Sequence, residues 1–320
     1  MCVRCRVRAQ MDSDQLKWIR EEIAIHKRLS HPHICTLHGA FEEPHAFSIL
    51  LQLCRGGSLC DTLGAALTSG TSLPTARVRS IFSQMVGAVE YCHRHGVVHR
   101  DIKLDNLCWA DESETHLLLV DFGYACSSEY HASYAGSAHY AGEDGQLLNS
   151  LATSLSYFSI PSSSHHAPSP KAHPLPRMPP TPNAVPTLLP PAPEVHNALD
   201  NEQAGREGSA PPVAAYSCVL SDIWSLGVCL FALLAIRLPF NGGEETEAER
   251  YALRKKVCRG KWDAEPKCDE LARGLLCGML AVNPKERSSL NEVMEHEWVG
   301  GAAAVPWAGE GENMWQDVAL

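Results

Sequence analysis

Apolar positions change period along this chain, and each change marks an expected element. Over residues 13–29, Leu16, Ile19, Ile23 and Ile25 recur at partial helical spacing, with Ser13 or Asp12 placed to cap the start. Residues 35–42 and 46–53 read as two strands parted by Pro44. The clearest amphipathic helix covers residues 75–95. There Val78, Ile81, Phe82, Met85, Val86, Val89 and Tyr91 form one apolar set, and Gly96 ends it. A short strand-like run follows at 117–120. The longest apolar run, 223–236, lies between Asp222 and Arg237. It is too short to span a bilayer and is expected as a buried helix.

One long stretch follows neither period. Residues 142–191 are rich in Pro, Ser and His, and 12 of the 21 prolines fall between Pro161 and Pro193. Such a segment buries too little apolar surface to offset its ordering entropy, so a disordered insertion is expected. A proline-rich docking site is its functional version. An inert loop or an unspliced intron is the plainer one, and is preferred. Residues 201–214 form a second, shorter polar insertion, and no internal repeat is visible.

The 320 residues allow one large domain or two, and 45% hydrophobic content is ordinary. A net charge of −10 argues against a general binder of nucleic acid or anionic membrane. The 13 cysteines are scattered and odd in number, and no secretory signal precedes them. Reduced thiols inside the cell are therefore expected, in the cytoplasm or nucleus with the cytoplasm preferred. Cys2 and Cys5 form a C-x-x-C, but no second pair at zinc spacing follows. His31, His33, Cys35 and His38 crowd together and could suggest a metal cluster.

Two segments carry the chemistry. Residues 99–106 read H-R-D-I-K-L-D-N, and Asp121-Phe122-Gly123 follows the 117–120 run. Either tripeptide alone is weak. In this order, joined by a strand, they resemble the catalytic loop and the metal-binding turn of the eukaryotic protein kinase family. Lys103, two places after the aspartate, is the form seen in its serine/threonine branch. The physics suits such a set, because phosphoryl transfer depends on positioning and charge neutralisation more than on covalent help. The resemblance implies that Asp101 orients the attacking hydroxyl and Lys103 steadies the moving phosphoryl group. It also implies that Asn106 and Asp121 hold Mg²⁺ against the phosphates of ATP, since Mg²⁺ favours a few hard oxygens plus phosphate.

The resemblance further implies an α+β, two-lobed fold. Its upper lobe would be a small antiparallel sheet with one helix, and its lower lobe mostly helical. Residues 1–54 would be an incomplete upper lobe with the hinge, and 55–141 the first part of the lower lobe. Residues 192–299 would complete that lobe after the insertion, and 300–320 would be a tail. No G-x-G-x-x-G is present, and Arg4 stands about where the family's strand lysine pairs with a helix glutamate, here Glu22. Guanidinium for ammonium is not a conservative exchange. Two explanations stand: a pseudokinase, or a chain that starts inside its third strand. The abrupt start favours the second.

Other positions take their meaning from the same likeness. Leu51 is the expected gatekeeper, with Gln52, Cys54 and Ser58 on the nucleotide. His26 would face Phe122, and His99 would pack under it. Asp222 would bond the backbone of the catalytic loop, and Glu194, in Ala192-Pro193-Glu194, would pair with Arg287. Arg100 resembles the arginine that meets an activation-loop phosphate. Ser133 stands at the usual phosphosite, for an upstream kinase. Ser137 would help present a substrate serine or threonine, and Asp105 would lie near a basic substrate residue. The segments G-S-A-H-Y-A, L-P-F and R-G-K-W look most like the calmodulin-dependent and AMP-activated group, although no calmodulin-binding helix is identified. The implied partners are ATP and a protein substrate, with neither nucleic acid nor membrane.

Overall fold

The computed structural model describes residues 2–7, 13–44, 46–127, 130–131, 192–194, 216–242 and 246–300. Ser133, Ser137 and the expected insertion 142–191 lie outside them, as does the tail beyond Gly300.

The first lobe is a three-stranded antiparallel sheet with one helix. Strand β1 (Cys2–Val7) pairs with β3 (Ala46–Leu51), which pairs in turn with β2 (Leu37–Glu42), in the order β1-β3-β2. The central strand alternates cleanly, with Phe47, Ile49 and Leu51 buried and their neighbours part-exposed. Such alternation follows from side chains pointing to opposite faces in turn. Helix α1 (Ser13–His26) follows β1 in the chain. Its buried residues, continued into the next turn, are Ile19, Glu22, Ile25, His26 and Leu29, at helical spacing. The expected apolar set Leu16, Ile19, Ile23 and Ile25 therefore lies on or beside the inner face, with Ile19 and Ile25 buried. Leu16 and Ile23 are only part-buried, while two polar side chains face inward.

Both expected strands are shorter than their apolar runs. Ile34 bridges to Leu119, and the Cys35 N–H donates to the Leu119 carbonyl at 2.9 Å, so β2 begins only at Leu37. After Leu51 the Gln52 N–H donates to Thr36 O at 2.8 Å, and the chain leaves the sheet. The two glycines that follow serve different needs. Gly57 has φ +77°, and a Cβ on Gly56 would stand 2.1 Å from the Asp111 carbonyl oxygen.

The second lobe is mainly helical. It holds α2 (Leu59–Ser69), α3 (Thr75–Arg94), a β4–β5 hairpin (Leu107–Trp109 and Leu117–Leu119) and a two-residue pair, β6–β7 (Tyr130–His131 and Tyr216–Ser217). Then come α4 (Cys218–Ala235), α5 (Glu247–Arg259), α6 (Glu270–Met279), α7 (Leu290–Glu295) and α8 (Glu297–Gly300). In α3 the expected apolar set is buried except for Tyr91, which stacks on His95 with ring centres 4.0 Å apart. Helix α4 starts before the 223–236 run, because the Ser217 hydroxyl accepts from the Leu220 N–H and caps it. Its length and apolarity would suit a membrane span. Here α3 and α6 cover it, and Gly227 lets α6 approach so closely that a Cβ would lie 3.0 Å from Met279 and Leu280.

Two apolar clusters result. The larger fills the helical lobe, with Trp109, Trp224, Phe231 and Trp298 fully buried. The smaller joins the lobes, and contains Cys35, Ile49, Leu51, Cys54, Cys108, Leu118 and Val120.

Candidate active site

The catalytic-loop residues converge on one knot. Lys103 Nζ donates to Asp101 Oδ2 at 2.8 Å, and Asn106 Nδ2 donates to the same oxygen at 2.9 Å and to the Asp101 carbonyl at 2.8 Å. A single 3₁₀ turn, Leu104–Asn106, sets Asn106 beneath the loop, fully buried. Its Oδ1 has no hydrogen-bond partner. Burial pushes the Asp101 carboxyl up from its ordinary value, with Lys103 opposing. Burial pulls the Lys103 ammonium down, but Asp101, Asp121 and Asp105 outweigh it and leave it raised. The knot therefore keeps its cation charged.

Asp121 enters the same space from β5. It holds a left-handed backbone, φ +63°, and its Oδ1 accepts from the Gly123 N–H at 3.1 Å. A Cβ on Gly123 would lie 3.1 Å from Asp121 Oδ1 and 3.6 Å from Glu22 Oε2, so α1 aims Glu22 at this turn. Phe122 is fully buried between two imidazoles. His26 is centred 4.6 Å from its ring, and His99 meets it edge-on at 5.0 Å. His26 Nε2 lies 2.7 Å from the Cys35 carbonyl, and His99 Nε2 lies 3.2 Å from that of Val120. Both rings are thus anchored as well as packed.

Asp222 supports the loop from α4. Its Oδ2 accepts from the His99 N–H at 2.9 Å, and its Oδ1 from the Arg100 N–H at 2.8 Å. Arg100 sits at φ +63°, a strained value for a side-chain-bearing residue. Its Nε donates to the Tyr124 carbonyl at 2.7 Å, while Nη1 is buried without a hydrogen-bond partner. Arg287 donates to Glu194 Oε1 at 2.6 Å and to Oε2 at 2.9 Å, a forked pair that also reaches Leu220 O.

At the hinge, Leu51 is buried in the small cluster. The Gln52 N–H is taken by Thr36, while its carbonyl receives only a weak contact from Cys35 Sγ at 3.6 Å. No hydrogen bond among the described residues engages the Cys54 N–H. One acceptor and one donor are therefore available side by side, the pattern a planar heterocycle needs. Ser58 departs from expectation. Its hydroxyl donates to Asp61 Oδ2 at 2.7 Å and accepts from the Asp61 N–H at 3.2 Å, closing the capping box of α2. Its proton is directed into the helix cap rather than toward a ribose. Arg4 is described by its backbone alone, opposite Ile49 in the β1–β3 ladder. Asp105 is part-buried, with Oδ2 unpartnered, and burial pushes its carboxyl up to about 6.

Two placements escaped the sequence reading. His93 Nε2 lies 2.9 Å from Asp222 Oδ2, yet it belongs to no motif and falls outside the apolar set of α3. Cys35, Cys54 and Cys108 are all buried in the small apolar cluster behind the hinge. They come from three distant segments, a placement that no local pattern announces.

Among the described residues, no group of three or more His, Cys, Asp and Glu is placed to hold a metal unaided. Asn106 and Asp121 nevertheless fit a cation shared with phosphates. The first offers an orphaned amide oxygen and the second a carboxylate at a constrained turn.

Similarity to known proteins agrees with this geometry. The protein kinase domain family matches residues 1–147 and 213–299. "NUAK family SNF1-like kinase 2" of Homo sapiens is 29% identical over 288 residues, which is 90% of this chain and 34% of that protein. "Serine/threonine-protein kinase SIK2" of Gallus gallus is 28% identical over 91% of this chain and 27% of its own length. "Calcium-dependent protein kinase 8" of Arabidopsis thaliana is 28% identical over 92% of this chain and 43% of its own. The chain thus spans less than half of each of these relatives. With the family's sequence matched on both sides of residues 148–212, and its catalytic loop folded around Asp101, this chain belongs to the protein kinase domain family.

Proposed function

We propose that the chain is a serine/threonine protein kinase, moving the γ-phosphate of ATP to serine or threonine hydroxyls of a protein substrate. The observation that carries this reading is the Asp101–Lys103–Asn106 knot with its orphaned Asn106 Oδ1. A buried acceptor left empty costs free energy, so a missing partner is the economical explanation. Asn106 and Asp121 would hold Mg²⁺, which when bound neutralises phosphate charge and orients the transferred group.

The chain's own residues do the rest. Lys103 and Asn106 both bond Asp101 Oδ2, which leaves Oδ1 to orient the incoming hydroxyl and receive its proton. Lys103, kept cationic by its carboxylate neighbours, steadies the phosphoryl oxygens. The Gln52 carbonyl and Cys54 N–H hold the adenine edge. Glu22 reaches the same cleft from α1, where Arg4 would be its partner. The named relatives include serine/threonine, SNF1-like and calcium-dependent kinases, which supports the serine/threonine assignment. We place the chain in the cytoplasm, where thiols stay reduced.

A second reading rests on the arginine at position 4, opposite Ile49 in the sheet. If that exchange prevents alignment of the phosphates, the chain binds nucleotide and signals as a scaffold. Two measurements separate the readings. Parent and Asp101→Ala chains are assayed for transfer of labelled phosphate to a serine peptide, and for thermal shift by ATP with Mg²⁺. The kinase reading expects transfer only by the parent and a similar shift in both. A shift without transfer by the parent supports the scaffold, and no shift in either removes both readings.

A further inference from the structure

A hydrogen bond between the lobes lies beside the candidate active site. Arg28 Nη2 donates to the Ser127 hydroxyl at 2.9 Å, across 99 residues of sequence. Both residues are exposed, yet both backbones are fixed. Arg28 lies in the turn that closes α1. There the Lys27, Arg28 and Leu29 N–H groups donate to the Ile23, Ile25 and His26 carbonyls at 3.0, 3.1 and 3.1 Å. Leu29 then enters the core. Ser127 directly follows Cys126, which exchanges two backbone hydrogen bonds of 2.9 Å with Val98, just ahead of the catalytic loop. The contact also closes a ring with the site. On α1, Glu22 faces the turn at Gly123, and His26 is centred 4.6 Å from the Phe122 ring.

We propose that Ser127 is a phosphorylation site, and that its phosphate pairs with Arg28 to hold α1 against the segment following Gly123. The position is distinct from Ser133, which only the family likeness singles out. The pairing stands on the Arg28–Ser127 geometry alone. Its benefit to nucleotide binding rests on the kinase reading, because α1 carries Glu22 to the turn of Asp121.

The modification takes ATP as phosphoryl donor and a protein kinase as catalyst. Ser127 Oγ attacks the γ-phosphorus; an O–P bond forms, the bond from that phosphorus to the β–γ bridging oxygen breaks, and ADP leaves. The hydroxyl proton passes to the base of the acting kinase and then to water. Exposure matters twice. It gives the acting kinase access to the hydroxyl, and it leaves the new charge solvated rather than stranded in the core. A neutral bond between exposed groups contributes little, because water competes for both partners. A phosphate brings a charge of about −1.5 to −2 and three acceptor oxygens, so a guanidinium can fork onto two of them. Arg28 is long and exposed, so its side chain can swing out to those oxygens while its backbone stays in the turn.

The test uses the full chain. It is incubated with Mg-ATP and a eukaryotic cell extract, and its phosphopeptides are mapped by mass spectrometry. Phosphate on Ser127 is expected, and a peptide that stays unmodified there overturns the proposal. Chains with genetically encoded phosphoserine at position 127 are then melted beside unmodified ones. The phosphate should raise Tm by about 2 °C in low salt, and by less than half as much in about 0.5 M salt, since screening weakens exposed charge pairs. Arg28→Gln should remove that rise, and Arg28→Lys should keep part of it. A rise of equal size in the Arg28→Gln chain, or none in the parent, overturns the pairing. A fluorescent ATP analogue should bind the phosphorylated chain about threefold more tightly. Equal binding by the two forms overturns the coupling to nucleotide while the pairing stands. Failure of both forms to bind the analogue overturns the kinase reading instead, and the melting comparison still decides the pair.

Discussion

Removing the Asp222 carboxylate tests how the catalytic loop is held. This side chain is 1% exposed and meets three donors: His93 Nε2 at 2.9 Å, the His99 N–H at 2.9 Å and the Arg100 N–H at 2.8 Å. Hydrogen bonds to a charged group contribute about 1.5–3 kcal/mol each, and a buried N–H left alone costs about 1–3 kcal/mol. These contributions overlap, so Asp222→Ala should cost about 4 kcal/mol. For a chain of this size that lowers Tm by roughly 8–16 °C. Asp222→Asn should cost less, about 2 kcal/mol, because its carbonyl can still serve the two donors on Oδ2. The new amide then faces the Arg100 N–H, where it cannot accept. Arg100 already sits at φ +63°, so its loop should relax once that acceptor is gone. Calorimetry gives the ranking, and amide exchange at His99 and Arg100 gives the location. A Tm for Asp222→Ala within about 2 °C of the parent would refute this account. So would unchanged exchange at those two amides.

Three further outcomes are expected. Arg287→Met leaves the Glu194 carboxylate without its forked partner, and should cost about 3–5 kcal/mol by denaturant titration; pairing it with Glu194→Gln should recover part of the loss. His31, desolvated and beside His33, has its pKa lowered to about 4, and its Nδ1 accepts from the His33 N–H at 3.1 Å. The unfolded chain then binds this proton more readily, so stability has no contribution from it above about pH 6.5 and falls as pH drops from there toward 4. His31→Asn keeps an acceptor but cannot titrate, and should flatten the Tm-versus-pH curve between about pH 7 and 5; an equally steep curve counts against it. Arg100 Nη1, buried without a partner, suits a phosphate oxygen. Phosphorylation at Ser133 is proposed to raise peptide phosphorylation and Ser133→Ala to lower it, and equal activity of variant and parent would remove that regulatory role.

Sequence alone determined the local part of this protein. The α3 stripe repeats at helical spacing, and all of its members but Tyr91 are buried, because periodicity reports which side of a helix meets a core. The order H-R-D, then D-F-G, marked where chemistry belongs, since those residue types sit close together in the chain. Likeness to a family added the long-range expectations for Asp222 and for the Glu194–Arg287 pair. Their geometry, across separations of 123 and 93 residues, exists only in the packed molecule. On α1 the apolar pattern found Ile19 and Ile25 but could not register Glu22 and His26 as buried beside them, which the family likeness raised and packing decided. Tertiary structure turned Ser58 toward a helix cap, since the nearest acceptor was its own Asp61. It also gathered three cysteines from a loop, a hinge and a hairpin into one buried cluster. Hydrophobic spacing constrains each element separately, whereas these placements depend on how the elements pack against one another.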